Sequence, residues 1–252
     1  AAPDRAVDQE RLLWSVAPSC LEGSGKSVFR IARQAVDPTR PDVQTTFIAM
    51  DTRALSFDVM LGGEAPGNAV AAFNGGFQAQ HGRFGIRSEG KTQIPAKGGL
   101  ATLGVGPGGQ AVLWTWSEVD VASYWRSFRQ NLAPLLDAKR TPQVLEELTL
   151  VADGQRVQIG RAPIRRSGLC RAGADTLIYV WSKRATARTL GDAMRFAGCD
   201  LGMHLDANTF HTRFEFMGPG CTVAGAPGMT DGPLGRYRRS QDRDFFVVTL
   251  GP

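Results

Sequence analysis

The residues best suited to chemistry lie close together late in the chain. His204, Asp206, Asn208 and His211 fall within eight positions of one another, and they include two of the three histidines. Leu201, Met203 and Leu205 alternate with Gly202, His204 and Asp206, the period-two pattern of a strand with a buried face. Positions i and i+2 share a face, so His204 and Asp206 are expected to point the same way. The run then breaks at Asp206-Ala207-Asn208-Thr209, short polar residues that favour a turn. A carboxylate, imidazoles and an amide where a strand opens into a loop could perform acid–base work, or hold a divalent metal through His204, Asp206 and His211. The plainer readings are Asp206 as a turn cap and His204 as a core histidine.

Three further groups belong beside this stretch. Asn74-Gly75-Gly76 follows the small-residue strand Val70–Phe73. It reads either as a positive-φ turn or as backbone that approaches an anion closely. Arg129-Gln130-Asn131 offers a guanidinium and two amides. Arg166 precedes Ser167 at the entry to a strand, either as an anion ligand or as a buried ion-pair partner.

To position these groups, the pattern predicts strands over Val28–Val36, Thr45–Met50 and Leu55–Leu61, the last two joined as a hairpin through Asp51–Ala54. A hairpin is expected over Leu100–Val105 and Ala111–Trp116, and another around Asp153-Gly154. Trp125, Phe128, Leu132, Leu135 and Leu136 fit one face of a helix over Ser123–Leu136. A buried strand is expected over Thr176–Trp181, then a helix opened by a capping box at Thr189–Asp192 and closed near Gly198. Phe214 and Phe216 mark a strand, 218–235 a Gly- and Pro-rich loop, and Asp244–Leu250 a closing strand. With no repeat or linker visible, the expectation is one α+β domain over 1–252, with a mixed β-sheet and a few flanking helices.

Composition narrows the function classes. At 252 residues and 42% hydrophobic, the chain can bury a full core. No apolar run is long enough to span a membrane. The net charge is +5, carried by 24 arginines and 5 lysines. The arginines are scattered without interleaved aromatics, so no nucleic-acid footprint is visible; an Ala-, Gly- and Arg-rich composition also accounts for them. Cys20, Cys170, Cys199 and Cys221 lack close metal-type spacing. They permit two disulfides in three connectivities, or free buried thiols. The start at Ala1-Ala2-Pro3 fits a chain cut after a signal peptide, and the expectation is a secreted or periplasmic protein. No Gly-rich dinucleotide fingerprint is present, so no nucleotide cofactor is expected.

Ala72–Phe77, Arg166-Ser167-Gly168-Leu169, and the segment from Thr189 through Cys199 to Leu205-Asp206, in this order, resemble the phosphodiester glycosidase family. Arg129-Gln130-Asn131 resembles an element of its bacterial members. The likeness covers roughly 45–217. It implies a hydrolase that cleaves the glycosidic bond of sugar phosphodiesters in cell-envelope glycans or exopolysaccharides, without a cofactor. Under it Asp206, His204 and Arg166 are the catalytic candidates. Asn74, Gly75, Gly76, Arg129, Gln130, Asn131, Asn208 and His211 would bind substrate. Where the family has a Gly-rich loop after Leu-Asp, this chain has Ala207–His211. A phosphate monoester is a stable leaving anion, so the reaction needs a carboxylate at the anomeric centre and donors for the phosphate more than a strong general acid. Glu89, Asp51 and Asp200 are candidates for a second carboxylate. The rivals are a metal-dependent hydrolase built on His204, Asp206 and His211, and a non-catalytic module that binds anionic glycans.

Overall fold

A computed structural model describes residues 12–17, 28–138, 149–152, 155–229 and 232–251. Its backbone is dominated by three antiparallel sheets. The largest has seven strands: β1 (Ser15–Val16), β2 (Phe29–Ala35), β3 (Gln44–Asp51), β15 (Thr176–Ala185), β14 (Ile164–Arg171), β16 (Leu201–Asp206) and β11 (Leu136–Asp137), in that spatial order. A five-stranded sheet orders β18 (Ala224–Gly225), β17 (Phe214–Phe216), β5 (Ala71–Asn74), β19 (Phe245–Leu250) and β4 (Leu55–Met60). A second five-stranded sheet orders β7 (Lys91–Ile94), β6 (Ile86–Ser88), β10 (Ser127–Gln130), β8 (Ala101–Val105) and β9 (Ala111–Thr115). The pair β12 (Thr149–Ala152) and β13 (Gln155–Gln158) stands apart.

The seven-stranded sheet is the middle layer. In β15, Leu177, Tyr179 and Trp181 enter the main core shared with the five-stranded sheets, whereas Ile178 and Val180 pack towards helix α1 (Ala187–Phe196). In β3, Ile48 and Met50 take the first side, Phe47 and Ala49 the second. Covering both faces is why these strands read as continuous apolar runs, as a strand buried on both sides must. Phe73, Phe214 and Phe246 stack across β5, β17 and β19 in the main core, with centroids 5.0 and 5.5 Å from Phe73.

The fold is therefore β-rich, not the α+β architecture with a mixed sheet and several helices that the sequence suggested. Its ladders are antiparallel, and α1 is the one α-helix among the described residues. The largest error is Ser123–Leu136, which forms a 3₁₀ turn at Ala122–Tyr124, then β10, then β11. Its apolar residues reach different neighbours. Trp125 stacks on Trp114 at 4.4 Å, Phe128 lies between Arg87 and Gly104, and Leu135 and Leu136 pack with the residues of α1. Leu132 packs with Phe77 and Phe84, so helical spacing arose from four separate burials.

Two connections also differ. β3 and β4 are not a hairpin; β3 pairs with β2 and β15, and β4 with β19. The capping box sits one turn earlier, where Thr186 accepts from the Thr189 amide at 3.1 Å and Thr189 Oγ1 accepts from the Thr186 amide at 2.9 Å. Asp153-Gly154 lies outside the described residues, although the flanking β12 and β13 pair antiparallel. β15 runs four residues beyond the expected Trp181, and β1, β6, β7 and β18 were not expected; the other expected strands fall within a residue or two of their positions.

Candidate functional site

The ends of β5, β14, β16 and β10 meet the start of β19 at one small cleft. Its lining includes Asn74, Gly75, Asp206, His211, Arg236 and Arg243, with Asp244 and Tyr237 beside them. The local sequence dictates the meeting point. β5 pairs with β19 up to Asn74↔Phe245, so Gly75 lands next to Asp244. β14 pairs with β16 up to Ser167↔Asp206, which brings Ser167 and Asp206 to the same end.

Asn74 is a strut. Its Oδ1 accepts from the Tyr179 hydroxyl at 2.7 Å and the Arg213 amide at 3.1 Å, and its Nδ2 donates to the Gly75 carbonyl and to Ser167 Oγ at 2.9 and 3.0 Å. Neither Gly75 nor Gly76 has a positive φ. The glycines are required by close approach: a Cβ on Gly75 would lie 2.0 Å from Asp244 Oδ2, and one on Gly76 would lie 2.5 Å from Asn131 Nδ2. Their amides donate to Asp244, from Gly75 to its carbonyl and from Gly76 to Oδ2, each at 3.2 Å. The anion held by this backbone is the protein's own carboxylate.

Arg129 and Asn131 complete the frame. Arg129 is fully buried and donates from Nε to Asp244 Oδ2 at 2.8 Å and from Nη2 to the Phe77 carbonyl at 2.6 Å. Asn131 donates to the carbonyls of His204 and Leu205 at 2.6 and 2.8 Å and accepts from the Phe77 amide at 3.2 Å. It ties Asn74–Phe77 to the end of β16. Gln130 points elsewhere, bonding Lys97 and Thr102. Asn208 closes its own turn by accepting from the Phe210 amide at 2.8 Å.

Asp206 is 4% exposed. Its Oδ1 accepts from the Ala207 amide at 2.7 Å and its Oδ2 from Arg243 Nη2 at 3.0 Å. Burial raises its pKa, and the Arg243 charge works against that rise. His211 lies opposite. Its Nδ1 is 2.7 Å from Arg236 Nη2, and a guanidinium can only donate, so Nδ1 is the acceptor and the proton sits on Nε2. Burial, with Arg243 and Arg236 nearby, pushes its pKa down to about 4, so the ring is neutral near pH 7.

His204 and Arg166 stand behind the cleft and do not line it. A register shift between Ser167 and Gly168 carries β16 from Asp206 to His204, so the simple i, i+2 geometry fails there. The His204 ring meets Phe77 edge-on at 5.0 Å and holds Nε2 3.4 Å from Arg166 Nη1. Burial first and then the Arg166 charge lower its pKa, so it is neutral. Arg166 is fully buried; it donates to the carbonyls of Ala185 at 2.6 Å and Ala162 at 2.9 Å, and to that of Ile159. Burial lowers its pKa to about 10. Its guanidinium fastens backbone segments together.

Sequence reasoning missed Arg236, Tyr237, Arg243 and Asp244. The available signal was the charge density of 236–244, with Arg236, Arg238, Arg239, Asp242, Arg243 and Asp244 crowded against the closing strand. The cleft's second carboxylate is Asp244. Asp51 pairs instead with Arg53 at 2.9 Å and Asp200 with Arg171 at 2.8 Å, and Glu89 occupies a positive-φ turn. Among the described residues no cluster of three or more His, Cys, Asp or Glu is placed to hold a metal ion. His204, Asp206 and His211 each turn a donor atom to an arginine, which removes support from the metal-dependent alternative.

Behind the site, Cys170 of β14 and Cys199, three residues beyond the end of α1, form a disulfide, and Cys221 is also disulfide-bonded. Among the described residues no helix is long and apolar enough to cross a membrane.

No family model matches the chain, and no curated protein matches its sequence. Its fold is similar to that of a hypothetical protein from Synechocystis, with a TM-score of 0.54 and 10% identity over 89% of this chain and 62% of that one. This chain therefore spans under two thirds of that relative's length. A protein described as exported, from Burkholderia pseudomallei, gives a TM-score of 0.46 and 12% identity over 83% of this chain and 74% of that one.

Proposed function

We propose that this protein hydrolyses the glycosidic bond of sugar phosphodiesters in extracellular or cell-envelope glycans. The observation that carries the reading is the interlocking of the stretches behind the resemblance. Asn74 bonds Ser167, Asn131 joins Phe77 to β16, and Arg129 joins Phe77 to Asp244, all around one cleft that holds Asp206.

The chemistry follows from charge placement. Asp206 is the carboxylate that acts at the anomeric carbon, and Arg243 is shared between it and the incoming phosphate. Arg236 and the Nε2–H of His211 supply further donors on the phosphate side, in a partly desolvated site where each is worth more than in water. Asp244 is fixed by Arg129 and by the Gly76 amide, so it orients the attacking water rather than moving. Water adds to the anomeric carbon and gives its proton to Asp206, the bond from that carbon to the phosphate oxygen breaks with its electron pair leaving on the oxygen, and the phosphomonoester departs as an anion. His204, Arg166 and Asn131 are positioning residues under this scheme. The disulfide supports an exported protein, because such bonds persist in oxidising compartments.

Phosphorus NMR of the protein incubated with a glycosyl phosphodiester tests this directly. Growth of a phosphomonoester resonance alongside free sugar is expected. A diester that binds and stays intact would favour a glycan-binding module instead.

A further inference from the structure

A second cavity of about 490 Å³ adjoins the catalytic cleft, and Arg236 and Gln241 line both. This volume lies within the range of small-ligand sites. Its walls include Thr209, Phe210, Pro233, Arg236, Arg239 and Gln241, and among the described residues no Asp or Glu lines it. Phe210 is 77% exposed, an unusual position for a phenylalanine. Arg239 is exposed as well, and among the described residues its side chain makes one long hydrogen bond, from Nε to the Gly235 carbonyl at 3.4 Å, and no ion pair.

Arg236 is the wall between the two spaces. Its Nη1 donates to the Phe210 carbonyl at 2.6 Å, while its Nη2 holds the cleft histidine His211. Arg213, also in the wall, is paired with Glu215 at 2.9 Å, so the guanidinium open to an anion is that of Arg239; with the flat apolar ring of Phe210 it suits a ligand that carries both a ring face and an anion. Sugars present C–H faces to aromatics, and guanidinium recognises phosphate or carboxylate by paired donors. Thr209 and Phe210 belong to the Ala207–His211 loop, where this chain departs from the family pattern.

We propose that this cavity binds the next unit of an anionic glycan, a sugar bearing phosphate or carboxylate, with its ring on Phe210 and its anion on Arg239. The inference rests on the glycosidase reading for its direction: the substrate is then a polymer segment, and the unit bound here lies beyond the phosphate that leaves.

Calorimetric binding distinguishes the two readings. The ligands are a phosphodiester-linked sugar tetramer, a neutral sugar tetramer and a single glycosyl phosphate. Each is titrated into the Asp206→Asn protein and into Phe210→Ala and Arg239→Ala made on that background, so that turnover is absent. The anionic tetramer should bind at least about tenfold more tightly than the neutral one. Each added substitution should weaken tetramer binding by about five- to tenfold and leave the single glycosyl phosphate and the melting temperature unchanged. Equal binding of the two tetramers, unchanged affinity in both variants, or failure of the tetramer to bind would each overturn the proposal. Turnover by the wild type is measured separately. Binding with this pattern but no turnover retains the cavity and sinks the glycosidase reading, whereas turnover with variant-insensitive binding does the reverse.

Discussion

Replacing Gly76 by alanine should damage the site without touching any charged group. The substitution meets no backbone penalty, because Gly76 is not at positive φ. Its cost is steric. The added Cβ would sit 2.5 Å from Asn131 Nδ2 and 2.8 Å from both Cγ and Oδ1 of the same amide. Ordinary contact needs roughly 1 Å more, so the amide must swing away. That amide makes three buried hydrogen bonds, to the carbonyls of His204 and Leu205 and from the Phe77 amide. At about 1 kcal/mol for each lost bond, with some relaxation, the loss is about 2–4 kcal/mol. For a domain of this size, that lowers the melting temperature by roughly 5–15 °C. Urea unfolding followed by tryptophan fluorescence measures it, with Gly98→Ala as control. Gly98 is exposed, and a Cβ there meets nothing within 4 Å, so the control should stay within about 0.5 kcal/mol of wild type. Gly76→Ala within that same margin, at unchanged turnover, would refute the role of Asn131 in tying Asn74–Phe77 to the end of β16.

Three other outcomes are expected. Because burial raises the pKa of Asp206, the unfolded chain releases this proton first as pH rises. The group's contribution to stability is therefore present below the ordinary carboxylate value and is lost as pH climbs through its raised folded value. Asp206→Asn should accordingly unfold at an equal or higher denaturant midpoint than wild type at pH 7, and a clearly lower midpoint would contradict the burial argument. His211 behaves oppositely: with its pKa pushed down to about 4, its contribution is present above the ordinary imidazole value and is lost as pH falls towards 4. Carbon NMR of its ring should show the neutral form with the proton on Nε2 at pH 6, and an imidazolium there would contradict both the lowered pKa and Nδ1 as the acceptor from Arg236. Replacing Cys170 and Cys199 by serine should cost about 3–4 kcal/mol for a 29-residue separation, read from the shift in urea midpoint.

Strand positions were legible because their period-two burial is local. Leu201 to Asp206 and Phe214 to Phe216 fall where alternation put them. Fold class was not legible, since it turned on Ser123–Leu136. Apolar residues there sit at helical spacing, yet β10 is held by pairing with β8 and β6, whose partner residues lie 22–28 and 41–43 positions away in the chain. Of the two readings of Gly75-Gly76, the positive φ fails and close approach of backbone to an anion holds, but the anion is the chain's own Asp244. The proximity of Asp244 and Asn131 that requires glycine is created only by tertiary structure. The same blindness hid Asp244 and Arg243 and gave His204 and Arg166 a place at the surface of the cleft. A one-residue register shift moved His204 away from Asp206. Asp206 itself was legible as the residue where an apolar strand stops at a carboxylate.

The central claim is that Asp206 drives hydrolysis at an anomeric carbon bonded to phosphate. The most direct measurement is release of free sugar from a panel of sugar-1-phosphodiesters, with wild type and Asp206→Asn run side by side and both shown to be folded. The account predicts turnover by the wild type and a loss of at least about a hundredfold in the variant. Turnover that survives in Asp206→Asn within about tenfold would contradict the role of Asp206, and its absence from both folded proteins across the panel would contradict the reaction itself.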